Sequence, residues 1–381
     1  MADSLELFQE LIAPEGREDP YPIYAALREQ GPLVSLGEGH MLATAYEAVD
    51  GLLRDPAFGV EEGGAFFEGS SLLRSNPPDH TRMRRLISGV FTARRVAGQR
   101  GAVEATTHRL IDEMCSNGDT ADIMADFAYH LPVNIICELL GVPEEDRDWF
   151  RPVAQDFTAV LEATFEPDDS AAAMTAGLTL RRYFAAMVEQ RRAQPEDDLV
   201  SALASERVSI TDDELLANLA LLLIAGFETT TNLIGNGLRI LFDHPALAAE
   251  LPLRPNDFVE EFVRFDPPVQ LTTRVALQDT VAFDRKITQG TYVLTLIGSA
   301  NRDPKRFPDP DRFDSARPNN TPISFGAGAH FCLGAALARL EAQVAFPLLL
   351  QRLAGLRPAG EPVRRPRLVL RGYESMPVSW N

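Results

Sequence analysis

Lysine is almost absent: Lys286 and Lys305 stand against 34 arginines in 381 residues. That skew reads as the codon bias of a GC-rich bacterial genome. Cysteine is sparse too, at Cys115, Cys137 and Cys332. Three scattered thiols make no disulfide framework, so a reducing cytoplasm fits best. With no C-x-x-C pair, the chain offers neither a zinc knuckle nor a thioredoxin-type redox motif. Long apolar runs are missing as well. The longest, residues 219–227, falls short of the roughly 20 residues that cross a bilayer. Residues 1–20 carry acids and two prolines in place of a basic segment followed by an apolar one, which excludes a signal peptide or an anchor. Positive charge is short overall, since 55 acids against 36 bases leave −19. Nucleic acids and anionic membranes repel such a chain.

What is present describes an ordinary globular protein, 45% hydrophobic and 24% charged. Apolar spacing predicts helices over residues 21–30, 45–55, 80–91, 93–117, 123–140, 145–161, 171–193 and 333–353. The clearest helix spans 211–242. Thr211 and Glu214 form a capping box at its start. Its length corresponds to a rod of roughly 48 Å. Residues 215–227 are apolar almost all round, with Asn218 the one polar exception, so this helix is buried. Short strands are predicted at 281–283 and 291–297, an irregular proline-rich meander at 304–322, and a strand–turn–strand end at 367–380. No repeat and no linker divides the chain. The predicted fold is mainly α with small β-sheets, a single large domain over residues 1–381 built around the long buried helix.

Five short patterns carry chemistry. Phe325 to Gly334 reads F-x-x-G-x-x-x-C-x-G, a match that composition alone produces in roughly one chain in a thousand of this size. Its glycines let the backbone turn sharply and lie close against something flat. The helix that follows puts Cys332 near a positive dipole end, which favours the thiolate. Inside the long helix stands Ala225-Gly226-Phe227-Glu228-Thr229-Thr230. An acid and an alcohol there are costly unless they are satisfied or functional. A threonine bonded back to its own helix, with Glu228 turned to solvent, explains the pair equally well. Glu261-Phe262-Val263-Arg264 and Pro310-Asp311-Arg312-Phe313 follow in order. His80 and Arg84 are four apart, so both leave one helix face.

Together these patterns resemble the cytochrome P-450 family, in order and over nearly the whole chain. The resemblance implies a cytochrome P-450-type domain holding one haem b (iron protoporphyrin IX). Cys332 would be the iron ligand, whose electron donation favours O–O cleavage. Phe325 would shield the sulfur, and Gly328 and Gly334 would allow close approach. His80, Arg84, Arg274 and His330 would hold the propionates. Gly226, beside Ala225, would open room for dioxygen, Thr229 would hydrogen-bond it, and Glu228 would relay protons. Glu261, Arg264 and Arg312 would form a structural ion network.

The implied activity is hydroxylation or epoxidation of a mid-sized apolar molecule, free or carrier-bound, in bacterial secondary metabolism. Electrons would come from NAD(P)H through a separate ferredoxin reductase and ferredoxin. The same iron used for oxidative coupling or ring closure is an alternative, and a non-catalytic haem sensor is another. Family topology implies substrate contacts at Phe66, Phe67, Leu72, Leu73, Leu222, Val269, Leu271, Thr272 and Leu370. Residues 81–100 hold six arginines and no acid. Of these, Arg82, Arg85, Arg94, Arg95 and Arg100 are expected to form the docking face for an acidic ferredoxin.

Overall fold

Helices dominate and the sheets stay small, as the sequence pattern predicts. The structure is a computed structural model that describes residues 3–62, 70–89, 91–159, 167–206 and 209–381. Its contacts sort the chain into two units, each assembled from separate stretches.

The first unit comprises Met1–Glu61, Asn232–Cys332 and Pro362–Glu374. Its five-stranded sheet runs, edge to edge, through Leu33–Gly37, His40–Ala43, Tyr292–Leu296, Leu271–Ala276 and Phe58–Gly59. The second and third of these strands are parallel, and all other neighbours are antiparallel. Alternate side chains feed two apolar clusters. Val34, Leu42 and Leu296 join one, while Leu33, Ala43 and Val293 join the other. Strands covered on both faces lose the polar alternation that marks a half-exposed strand. The sequence pattern marks only Tyr292–Leu296 of this sheet. The N-terminal helix Ser4–Ile12 was also missed, although its signal is legible. Asp3 and Glu6 form a capping box there, with the Asp3 amide donating to Glu6 at 3.0 Å.

The second unit comprises Glu62–Thr231, Leu333–Glu361 and Ser375–Asn381. The long helix Asp212–Asp243 begins in this unit and passes into the first after Thr231. Its capping box forms as predicted, Thr211 N donating to Glu214 at 2.9 Å and Glu214 N to Thr211 Oγ1 at 3.2 Å. Asn218 is fully buried but satisfied. Its Oδ1 accepts from Leu72 N at 2.9 Å and its Nδ2 donates to the Glu214 carbonyl at 2.7 Å. The helix is long and apolar enough to cross a membrane, yet 78% of its apolar window is buried in protein, as in a core helix. The stretch expected as one helix over 93–117 divides at Gln99 into Ala93–Gly98 and Arg100–Ser116. A π-helical turn, Met124–Ala128, precedes His130–Leu140. The helix expected from 145 begins only at Phe150.

Candidate functional site

Cys332 lies at the end of a loop held by its own backbone. Gly326 N donates to Ile323 O and Cys332 N to Phe325 O, both at 2.8 Å. Gly326 and Gly328 sit at φ +70° and +66°, conformations that L side chains rarely adopt. The thiol of Cys332 is exposed. Gly328 has a second constraint, because a Cβ there would meet the Leu53 carbonyl oxygen at 2.2 Å. The close approach seen at Gly328 is to the helix Tyr46–Arg54. Around Gly334 a Cβ would meet no protein atom within 4 Å. The following helix, Ala335–Arg352, starts with Gly334 as its N-cap, so Cys332 stands ahead of the cap and outside the first turn. The dipole argument weakens accordingly.

Behind the loop is a saturated ion network. Arg264 donates to Glu261 through Nε and Nη2, each at 2.7 Å, and both side chains are fully buried. Arg264 also donates to the carbonyls of Asn301 and Pro310 at 2.9 Å. Burial pushes its pKa down and Glu261 opposes the shift. Arg312 is not the third member: its side chain is 69% exposed and pairs with Asp314. Only its carbonyl takes part, accepting from Arg264 at 3.3 Å. The third member is Arg317, buried, with Nε 3.3 Å from Glu261. Asn301 links this network to the cysteine loop. Its Oδ1 accepts from Ile323 N at 2.9 Å and its Nδ2 donates to Ser324 Oγ at 2.7 Å. Nothing in the sequence patterns marked Arg317 or Asn301.

Arg274 is buried on strand Leu271–Ala276, and its guanidinium donates to Thr273 O at 2.9 Å and Thr272 Oγ1 at 3.4 Å. Burial alone pushes its pKa down to about 10. Among the described residues it faces no carboxylate. A buried cation without an acid fits an anionic group of a bound cofactor, such as a haem propionate. His330 is half-buried in the 3-10 turn Gly328–His330. His80 and Arg84 lie on the helix Asp79–Ser88 as expected. His80 is buried, and burial followed by the Arg84 charge holds its imidazole below the ordinary value.

From Leu215 to Leu238 the long helix is buried except at Leu221, Ala225, Gly226 and Thr229. Positions 221, 225 and 229 share one face, so the accessible stripe is narrow and ends on the Thr229 hydroxyl. That hydroxyl donates to the Ala225 carbonyl at 3.2 Å. Glu228 is buried, not turned to solvent. The room beside Gly226 is taken by Ile136: a Cβ there would lie 2.6 Å from its Cγ1. Packing against Ile136 therefore calls for glycine at this position.

The expected substrate contacts divide. Phe66 and Phe67 lie outside the described residues. Leu72 and Leu222 belong to the apolar core of the second unit, and Leu271 to that of the first. Leu370 is buried, and its backbone pairs with Val269 in an isolated bridge. Val269 and Thr272 are half-buried, and Leu73 is 45% exposed. The basic island also shrinks. Arg82 is tied to Glu214, to Asp79 at 2.9 Å and to the Ser209 carbonyl at 2.7 Å. Those bonds to Glu214 and Asp79 raise its pKa, and the two carboxylates offset its charge. Arg100 pairs with Glu104 at 3.3 Å. Arg85, Arg94 and Arg95 are exposed and hold no ion pair among the described residues.

Comparison with known proteins gives a consistent answer. Residues 255–368 match the family profile for cytochrome P450. The chain is 38% identical to cytochrome P450 monooxygenase PikC of Streptomyces venezuelae, over 95% of this chain and 91% of that one. It is also 38% identical to mycinamicin IV hydroxylase/epoxidase of Micromonospora griseorubida, over 94% of each. Among solved structures it resembles P450BioI in complex with an acyl carrier protein bearing hexadec-9Z-enoic acid. The TM-score is 0.91 and the identity 34%, over 96% of this chain and 100% of that one.

Proposed function

This chain belongs to the cytochrome P450 family, and from that premise we propose that it inserts one atom of dioxygen into a C–H or C=C bond of a mid-sized apolar molecule. Membership makes it a haem-iron monooxygenase of the bacterial type that PikC and mycinamicin IV hydroxylase/epoxidase represent. The haem, once bound, supplies an iron centre at which dioxygen is reductively activated.

The observation that carries the proposal is the exposed Cys332 thiol, on a loop turned by Gly326 and Gly328 and braced by the Arg264 network. In this reading Cys332 ligates the iron as thiolate and Phe325 flanks it. Arg274 and His330 bind one propionate, and His80 and Arg84 the other. Thr229 and Glu228, on one helical turn, hold and pass protons toward the distal side. The open stripe at Ala225 and Thr229 supports that assignment, as does the burial of Glu228. Val269 and Thr272 form one wall against the substrate, with Leu370 behind them. The whole chain acts as one domain, and its acidic, cysteine-poor composition supports a cytoplasmic location. Electrons arrive from NAD(P)H through a reductase and a ferredoxin, which docks on Arg85, Arg94 and Arg95. Charge reversal at Arg94 and Arg95 should slow electron transfer at low salt and flatten its salt dependence. Unchanged rates would remove that face.

The deciding experiment is the visible spectrum of the purified ferric protein, titrated with macrolides and other apolar natural products. A haem band moving toward high spin identifies a ligand that displaces distal water, and the mass of the turnover product then separates oxygen insertion from coupling. A protein that stays colourless after haem reconstitution would overturn the reading. Thr229→Ala tests the proton assignment: it should divert most reducing equivalents to hydrogen peroxide while the haem spectrum persists. Full coupling in that variant would exclude the hydroxyl.

A further inference from the structure

Two stretches of the first unit, residues 268–272 and 368–371, are zipped together. Gln270 N donates to Val369 O at 3.0 Å, and Arg371 N donates to Pro268 O at 2.8 Å. Between these bonds Val269 and Leu370 form an isolated antiparallel bridge. One bridge is a weak join. Two sets of hydrogen bonds reinforce it: Asn236 Nδ2 donates to the carbonyls of Asp266 and Arg371 at 3.1 and 3.2 Å, and side chains converge on the buried Asp266 carboxylate. Arg371 Nε donates to Asp266 Oδ1 at 2.9 Å, and the Tyr21 hydroxyl donates to the same oxygen at 2.6 Å. Asp266 thus precedes one stretch and is bound by the last residue of the other.

The rest of the Arg371 fork reaches the N-terminal segment. Its Nη1 donates to the Arg17 carbonyl at 2.6 Å and its Nη2 to the Glu18 carbonyl at 2.9 Å. Arg302 closes the assembly, its guanidinium 4.1 Å from the Tyr21 ring centroid and 3.7 Å from that of Phe265. Burial opposes ionisation of Asp266, but Arg371 and Arg364 outweigh it and hold the carboxyl below its ordinary value. The centre of the clamp is therefore a charged pair that only a forked cation can serve.

We propose that Tyr21, Asp266 and Arg371 are positioning residues for substrate selection, which fix where the half-buried Val269 side chain stands. Resting on the functional reading above, this gives residues 17–21 a part in specificity through their bonds to Asp266 and Arg371. Tyr21→Phe removes one hydroxyl, and Arg371→Lys keeps the charge but loses the fork.

The test uses holoprotein and two azole probes. Imidazole reaches the iron without touching the walls, whereas phenylimidazole fills the space beside it. Both variants should retain the carbon-monoxide difference spectrum of a thiolate-bound haem and bind imidazole as the parent does. Phenylimidazole affinity should change by about three- to tenfold, the range of one lost hydrogen bond. Parent-like binding of both azoles, or an equal change for both, overturns the clamp. If Arg371→Lys fails to fold, Tyr21→Phe decides alone. Absence of the thiolate spectrum in the parent would instead defeat the functional reading, so the two failures are distinct.

Discussion

Arg264 and Arg274 are both buried arginines of one unit, and their surroundings differ completely. Arg264 spends its donors on Glu261 and on three backbone carbonyls. Arg274 has the hydroxyl and carbonyl of two neighbouring threonines and no acid among the described residues. A buried cation with its counter-ion built in is finished by the polypeptide. One without it is costly to the fold alone and is completed by an anion from outside. The contrast separates a structural arginine from the one proposed above to receive a propionate, where burial by itself does not.

The largest expected effect comes from breaking the finished site. Glu261→Ala strands Arg264 and Arg317 and should cost about 3–5 kcal/mol of stability, read as a lowered denaturant midpoint with or without haem. Arg274→Met should act in the opposite sense on the apoprotein, whose stability stays equal or rises once the lone charge is gone. The holoprotein pays elsewhere, since haem transfer to an acceptor globin should quicken at least about tenfold. Equal destabilisation of the apoprotein by both variants would erase the distinction between the two arginines.

The comparison sharpens further at the third member of the finished site. Arg317→Ala should cost about 2 kcal/mol, because it leaves Glu261 and several carbonyls short of a donor. Arg312→Ala should stay within about 0.5 kcal/mol, since its side chain is exposed and pairs only with Asp314. Reversed costs would restore the assignment that the P-x-R-F pattern implied.

Spacing in the sequence carries backbone roles better than partners. The Thr211–Glu214 box, the long helix and the Cys332 loop were legible because each depends on residues close in the chain. Glu261 and Arg264, three apart on one helix, were legible for the same reason. Arg317 and Asn301 were not, because their bonds to Glu261 and Ile323 exist only after the meander folds back. Leu72, Leu222 and Leu271 show the same limit: an apolar residue near a site has the same letter whether it faces substrate or core.

The smallest effect concerns a second unfinished group, Glu341 on the helix Ala335–Arg352. Glu261 accepts from two arginines, an amide and Asn320, whereas Glu341 is equally buried and its Oε2 has no hydrogen-bond partner among the described residues. The helices packed on this one, Ala93–Gly98 and Arg100–Ser116, direct His108 and Asp112 to Arg352 and not to Glu341. Burial alone pushes its pKa well above the ordinary value. The folded chain therefore keeps a proton that the unfolded chain has released. Stability from this group is complete below the ordinary carboxyl pKa and falls as pH rises through the folded one. Glu341→Gln carries no such proton, so its stability should gain on the parent between pH 5 and pH 8. Urea midpoints measured across that range give the answer. Parallel curves would mean that the carboxylate is satisfied after all, and that Glu341 belongs with Glu261 on the finished side of the comparison.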